Sequence, residues 1–164
     1  MANPFLVLEH CNLFCGTQNP SPGVSNHLLL SELQLPKLQE QYIDHRPGGA
    51  PLAIEVDVIL QHLEASFQLM GLQPQVMRML HPYSLDQTWF VALGFVRDPF
   101  SGDYTQAMAT IQGRLGAIEP APWRRGTPYQ THYSIRSIMK YSLEIAGFGN
   151  IVTWDFYNNL ILVG

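Results

Sequence analysis

The chain has 164 residues, of which 46% are hydrophobic and 13% are charged, and its formal net charge is −4. This length and hydrophobic content predict one domain, residues 1–164, with a buried core. The charged fraction lies well below the roughly 25% typical of soluble domains. Nine basic residues against 13 acidic ones argue against a nucleic-acid-binding protein, which needs a basic face to collect phosphates.

A surface with so little charge is typical of a protein that covers itself with other subunits, because subunit contacts use uncharged polar and apolar groups. The composition therefore favours self-assembly. The start of the chain, Met-Ala-Asn-Pro-Phe-Leu-Val-Leu-Glu, lacks the basic region and the longer apolar run of a signal peptide. We expect no membrane anchor, since no apolar run is long enough to cross a bilayer. Cys11 and Cys15 are then expected to be free thiols of a reducing cytoplasm.

The first part of the chain predicts two loops and two strands. Residues 16–23 and 43–51 are rich in the turn-forming residues Pro, Gly and Asn, which predicts loops. A strand is expected at residues 28–35. Over residues 63–69 apolar and polar side chains alternate, which is the pattern of a strand with one buried and one solvated face.

The segment that follows departs from this alternation and predicts a helix. Residues 73–81 have Pro74 in the first turn, where a helix tolerates it, and Pro82 follows as a stop. Three apolar residues of the segment fall on one helical face. We therefore expect a short helix that covers one end of a sheet.

The second half of the chain predicts four strands. Residues 89–96 are apolar on both faces, as in a central strand, and turn residues at 98–103 join them to the next strand in a hairpin. Apolar and polar residues alternate over 104–115 and 133–145, strands at or beyond the usual limit of about ten residues. A last strand is expected at 151–156. The whole pattern predicts a mainly β fold, an antiparallel sandwich or barrel with one short α-helix.

The residue types that carry chemistry form no recognisable site in the sequence. His10, Cys11 and Cys15 could begin a zinc site, but no second Cys or close His pair follows to complete four ligands. The remaining histidines are scattered, and the sequence contains no nucleophile turn, phosphate-binding loop or close carboxylate pair. We therefore expect no metal, no cofactor and no enzymatic activity.

Two stretches of the sequence follow a known pattern. The first is Leu33-Gln34-Leu35-Pro36-Lys37-Leu38, then Gln41-Tyr42, then Gly48-Gly49-Ala50-Pro51. The second is Gly113-Arg114 followed by Glu119-Pro120-Ala121-Pro122-Trp123-Arg124-Arg125-Gly126. With these runs in this order, residues 12–164 resemble the major tail tube protein of contractile-tailed bacteriophages and of R-type pyocins.

This resemblance implies a structural virion protein. Tube proteins of that family form hexameric rings whose long strands pair across subunits into one continuous inner barrel, and the rings stack into a tube for DNA ejection into the host. The implied partners are other copies of the chain, the tail sheath, tape measure, baseplate and tail terminator proteins, and duplex DNA that passes without specific binding. The implied location is the virion tail, assembled in the cytoplasm of the host bacterium.

The resemblance also implies roles for particular residues. A segment that reaches toward neighbouring subunits corresponds here to Leu35, Pro36, Lys37, Leu38, Tyr42, Gly48, Gly49 and Pro51. Trp123 is expected to anchor the loop between two long strands, either at an interface or within the subunit. The lumen face is expected to carry Gln106, Thr110 and Gln112, or else Ser66 and Gln68, because neutral polar side chains leave duplex DNA hydrated and unbound.

Three alternatives remain open on the sequence. The tube could belong to an injection particle without DNA, such as an R-type pyocin or a type VI secretion system. The chain could be a monomeric ligand-binding barrel, which would have a pocket lined with inward aromatic residues. The alternating strands could also form a solitary sandwich with one solvated face.

Overall fold

The fold is described over residues 5–164 in a computed structural model. Residues 1–4, where the run considered for a signal peptide begins, lie outside the described residues. Within the described range no helix is long and apolar enough to cross a membrane. The elements are β1 (Val7–Cys15), β2 (Leu30–Gln34), β3 (Glu40–His45), β4 (Ile54–Leu60), β5 (Ala65–Met70), α1 (Pro74–Met77), β6 (Thr88–Arg97), β7 (Tyr104–Pro120), β8 (Gln130–Ile145), β9 (Gly149–Asp155) and β10 (Leu160–Val163).

Most strands belong to one antiparallel sheet. Its order is β1-β6-β7-β8-β5-β2, with β9 beside β8 and β10 beside β9. β7 and β8 have 17 and 16 residues and confirm the two long strands predicted from the alternation. The first residues of β8 pair with β5 and its last residues pair with β9. This one strand therefore joins the two parts of the sheet.

A bulge in the β7–β8 pair marks the place where β8 changes its neighbour. Three β8 residues, 137–139, stand opposite Gly113 alone, and Ser137 has a φ of 51°, in the left-handed region. A Cβ atom at Gly113 would lie 2.9 Å from Ile135 Cγ2 and 3.1 Å from the Arg136 carbonyl oxygen. Glycine is required here because the bulge brings the two backbones too close for a side chain.

The core covers one face of the main sheet. Phe67 stacks on Tyr133 with ring centroids 5.0 Å apart and lies tilted against Phe90 at 6.1 Å. Val76 of α1 is buried in the same cluster, so the short helix covers part of the core. The other buried members of the cluster are Leu13, Cys15, Leu63, Ala65, Leu69, Ala92, Ala109, Ile111, Leu115, Ile135, Ile138, Tyr141 and Val152.

β3 and β4 form a second, two-stranded sheet that is not bonded to the first. The loop predicted over residues 43–51 is wrong for residues 43–45, which belong to β3. Polar and charged residues fill both faces of β3 except at two positions, so the sequence shows no apolar alternation there. The loop prediction is confirmed only for the turn between the two strands.

The strands predicted at the positions of β2 and β5 to β9 are present with shifted ends, whereas β1 and β4 were not predicted. The mainly β, antiparallel fold with one short helix is confirmed. The helix expected over residues 73–81 ends at Met77, because the next amide groups, of Met79 and Leu80, bond to carbonyls three residues back and tighten the chain into a turn. β10 was not predicted, since its four apolar residues carry no alternation.

We expect Phe67→Ala to lower the free energy of unfolding by about 3–5 kcal/mol, because it removes a ring stacked in the core and leaves a cavity. Phe67 is 1% exposed, whereas Phe100 in the β6–β7 turn is 87% exposed. Phe100→Ala is the matched control and should change the same free energy by less than about 0.5 kcal/mol. Urea unfolding of unassembled protein, followed by circular dichroism, measures both. Equal effects of the two variants would contradict the assignment of Phe67 to the core.

Candidate assembly interface

The β3–β4 hairpin presents both of its faces to solvent. Every residue of β3 is exposed, and in β4 only Leu60 is half-buried. Tyr42 is 52% exposed and Ile59 is 61% exposed. An isolated two-stranded hairpin is at best marginally stable in water. Burial of its exposed apolar side chains against another surface would therefore stabilise the hairpin.

The pairing of β3 with β4 gives the hairpin two chemically different faces. Residues paired across the strands point to the same side, and Ile43 pairs with Val56 on a face that also holds Ile54. On the opposite face Tyr42 pairs with Asp57, and Asp44 pairs with Glu55. The hairpin thus has one mainly apolar face and one acidic face.

The carboxylates of the acidic face change the pKa of Tyr42. Its hydroxyl donates a hydrogen bond to the Glu40 carboxylate. This bond, and then the negative charges of Glu40, Asp57 and Glu55, raise the pKa of Tyr42 above its ordinary value. With Asp44, which pairs with Glu55, four carboxylates lie on this face, and none of them takes part in an ion pair among residues 5–164.

The other residues expected at subunit contacts divide between the core and the surface. Pro36 is buried, and Leu35 and Leu38 pack against the core of their own subunit, so they fix the path of the chain into the hairpin. Lys37 is exposed. Gly48, Gly49 and Pro51 are exposed at the tip of the hairpin, where Gly49 has a φ of 82°.

Trp123 lies on the surface, in the loop between β7 and β8. Its side chain is 82% exposed. Its only intramolecular partner among the aromatic pairs of the described residues is Tyr129, at 6.5 Å between ring centroids, and its Nε1 atom donates to the Tyr129 hydroxyl at 3.1 Å. The two rings border an open groove of about 510 Å³ that is completed by Gly71, Leu72, Arg124 and Arg125. An exposed Trp and two Arg residues in one groove have the composition of a binding surface.

All five lumen candidates lie on the face of the main sheet that is turned away from the core. Ser66 and Gln68 alternate with the buried residues of β5, and Gln106, Thr110 and Gln112 alternate with those of β7. Gln106 is exposed and the other four are half-buried. The two alternative sets are therefore parts of one surface.

Arg136 and Lys140 on this outer face are paired with carboxylates of the same subunit, whereas Arg114 bonds only to a neutral carbonyl and keeps its charge. Arg136 lies 2.7 Å from Glu64, Lys140 lies 4.0 Å from Asp155, and Arg114 donates to the His81 carbonyl at 3.1 Å. Paired cations offer little attraction to phosphate groups. The face therefore combines neutral polar side chains with two compensated cations and one uncompensated cation, Arg114.

β10 is an open edge that the sequence did not reveal. Its four residues are exposed and apolar, and it pairs with β9 alone. A groove of about 550 Å³ separates its Ile161 and Val163 from Leu38, Tyr42 and Leu60 at the base of the hairpin. An uncharged edge of this kind is a site for pairing with another chain.

The two thiols lie away from these surfaces. Cys15 is buried and Cys11 is half-buried, and both are free. Burial raises the pKa of Cys15 to about 12. No group of three or more His, Cys, Asp or Glu side chains within residues 5–164 is arranged to hold a metal ion.

Comparison with known proteins matches the chain to a protein family and to solved structures of the same fold. The profile of the family phage tail tube protein FII matches residues 9–164. No curated protein sequence matches the chain.

Several solved structures share the fold at low sequence identity. A chain from the PVC sheath/tube terminator of an extracellular contractile injection system, in the extended state, is 4% identical with a TM-score of 0.57, over 82% of this chain and 93% of that one. A chain from the PVC sheath-tube complex has the same identity and TM-score, over 82% and 88%. A chain from the anti-feeding prophage baseplate is 14% identical with a TM-score of 0.51, over 87% and 97%.

We expect Glu40→Gln to lower the pKa of Tyr42 toward that of an ordinary tyrosine, because the variant removes the charge that favours the protonated phenol. Titration of tyrosine Cζ resonances by carbon NMR, assigned with Tyr42→Phe, measures the change. Glu144→Gln, at an exposed carboxylate on β8 that has no part in the Tyr42 shift, is the control. An unchanged Tyr42 titration in Glu40→Gln would contradict the acidic face described above.

Proposed function

Since the chain belongs to the phage tail tube protein FII family, we propose that it forms the inner tube of a contractile phage tail. Residues 1–164 act as a single tube domain in this proposal. Hexameric rings of the chain stack into a hollow cylinder that conducts DNA into the host. The protein works as a structural component and catalyses no reaction.

The exposed β3–β4 hairpin is the observation that carries this proposal. A free subunit gains little from ordering a two-stranded sheet in water, whereas a neighbouring subunit can bury its apolar face. The hairpin holds Tyr42, Gly48, Gly49 and Pro51, and Lys37 lies close to its start in the sequence. These residues and Trp123 are the subunit contacts that we propose.

Open strand edges support the formation of rings. β10 presents an unpaired apolar edge, and such an edge pairs with another chain unless it is covered. A contact between two different surfaces of identical subunits closes into a ring when the rotation allows and stays open along an axis when it does not. We propose closure around six subunits, with the long β7 and β8 strands in a continuous inner barrel.

The outer face of the sheet suits the lumen of such a tube. Its neutral residues are Gln106, Thr110, Gln112, Ser66 and Gln68, and two of its three cations, Arg136 and Lys140, are already paired with carboxylates. Duplex DNA would find few free positive charges there. Weak attraction is what a conduit needs, because each phosphate contact would slow the passing duplex.

The proposed partners follow from the assemblies in which the fold is found. The similar chains come from a sheath-tube complex, a sheath/tube terminator and a baseplate. We propose that this chain contacts a tail sheath protein outside the tube and terminator and baseplate proteins at its ends. A tape measure protein and then DNA occupy its lumen, and the tube is assembled in the host cytoplasm as part of a virion.

A second function has a specific observation in its favour. Two of the similar chains belong to an extracellular contractile injection system, so the same tube could serve a particle that carries no DNA. A capsid and terminase region next to the gene distinguishes the phage tail from such a particle.

We expect the purified wild-type protein to form rings or tubes when it is concentrated, and Tyr42→Ala to need a concentration at least about tenfold higher. An aromatic residue in an interface contributes about 2 kcal/mol or more at a hot spot, and about 1.4 kcal/mol corresponds to a factor of ten. Negative-stain electron microscopy and sedimentation measure the threshold. Circular dichroism should be unchanged, since Tyr42 is exposed.

Tyr83→Ala is the matched control for this test, because Tyr83 is fully exposed and lies outside the hairpin. Its assembly threshold should equal that of the wild type. A wild-type protein that remains monomeric at every concentration contradicts the proposed function. Assembly of Tyr42→Ala at the wild-type concentration contradicts only the role of the hairpin.

We expect Gln106→Lys/Thr110→Lys tubes to retain short duplex DNA at low salt, because unpaired cations in the lumen bind phosphates in a salt-dependent way. Ser66→Lys/Gln68→Lys tests the alternative set of lumen residues. Gln18→Lys/Asn19→Lys, in the exposed loop after β1, is the control with equal added charge. Co-sedimentation of DNA with tubes is the measurement. Equal retention in all three variants would show that neither set lines the lumen.

A further inference from the structure

We propose that the acidic face of the β3–β4 hairpin of one copy docks in the Trp123 groove of a second copy. This inference rests on the proposed function and deepens it, because it names the two surfaces that meet. The groove is lined by Gly71, Leu72, Trp123, Arg124, Arg125 and Tyr129.

Charge complementarity identifies the occupant of the groove. The hairpin contributes the carboxylates of Asp44, Glu55 and Asp57 on one face, and the groove contributes the guanidinium groups of Arg124 and Arg125. None of these five residues forms an ion pair within residues 5–164. The carboxylates of one subunit can therefore pair with the guanidinium groups of another, because surfaces of opposite electrostatic potential attract each other across an interface.

The remaining parts of the two surfaces also match. The groove offers exposed apolar area on Trp123 and Leu72, and Trp and Arg are the residue types in which interface binding energy concentrates. The hairpin offers a two-stranded ribbon with Tyr42 on its acidic face. Guanidinium groups bind carboxylates through paired hydrogen bonds, so Arg124 and Arg125 can fix the position of the ribbon over the indole.

The two surfaces lie at opposite ends of one strand. The hairpin ends at Leu60, before the start of β5 at Ala65, whereas the groove includes Gly71 and Leu72, which follow the end of β5 at Met70. The six residues of β5 separate the two ends by about 20 Å at about 3.3 Å per residue. A contact between opposite ends of identical subunits is heterologous and propagates from copy to copy.

A charge-swap experiment tests this docking. The hairpin variant is Asp44→Arg/Glu55→Arg, and the groove variant is Arg124→Glu/Arg125→Glu. Each variant alone places like charges against each other at every contact and should raise the assembly threshold at least about tenfold. An equimolar mixture restores opposite charges at every contact and should assemble close to the wild-type threshold, with both proteins alternating in the tubes.

Arg78→Glu provides the control, because Arg78 is an exposed cation outside both surfaces. It should assemble at the wild-type threshold, whereas the single variant Arg125→Glu should not. Thermal unfolding of each variant checks that its fold is retained, as expected for exposed positions. Fluorescent labels on the two swap variants and co-sedimentation measure their incorporation.

The outcomes separate this inference from the proposed function. Assembly of the wild type, loss in each swap variant and recovery in the mixture support the docking. If the wild type assembles and either swap variant does so at the same threshold, or if the mixture fails to recover, the docking is wrong and the tube function stands. A wild type that never assembles overturns both.

Discussion

The pairing of β7 with β8 is the constraint on which the rest of the structure depends. These two strands run the length of the main sheet, and β8 alone connects the β5 side to the β9 side. Their register places Ile111 and Leu115 in the core and Gln112 and Arg114 on the outer face. A shift by one residue would exchange the two faces. The bulge at Gly113 preserves this alternation, because β8 gains an even number of residues there.

The few charged side chains of the chain are arranged differently on two parts of its surface. On the outer face of the sheet the few cations are paired with neighbouring acceptors. In the hairpin and in the loop after β7 the charges lack partners within the subunit and are concentrated by sign. Charges paired within a subunit make a surface inert, whereas separated charges of opposite sign select an orientation between subunits. The chain thus combines an outer sheet face with mostly paired charges and, in the hairpin and the Trp123 groove, two surfaces with unpaired charges that we propose as contacts.

The sequence predicted β5, β7 and β8 from their strong alternation and missed β1, β3, β4 and β10. β5, β7 and β8 show period-two alternation because one face of each contacts the core. β3 and β10 escaped prediction because their side chains are exposed in the subunit, so no core imposes a pattern on them. β4 was missed although its Ile and Val residues alternate with Glu55 and Asp57. Tyr42 and Trp123 could be singled out through family resemblance, but the acidic face and the groove depend on cross-strand register and loop packing.

The exposed hairpin also affects when assembly can begin. A two-stranded sheet without a covering surface is a locally unstable unit that opens far more readily than the core. In a subunit that assembles through its hairpin, that segment loses much of its conformational entropy only when it binds the neighbouring subunit. In the proposed assembly, the first few subunits order their hairpins without a preformed receptor, whereas later subunits meet a finished one. Nucleation of the proposed tube is then slower than its elongation, so that subunits stay unassembled until a template is present.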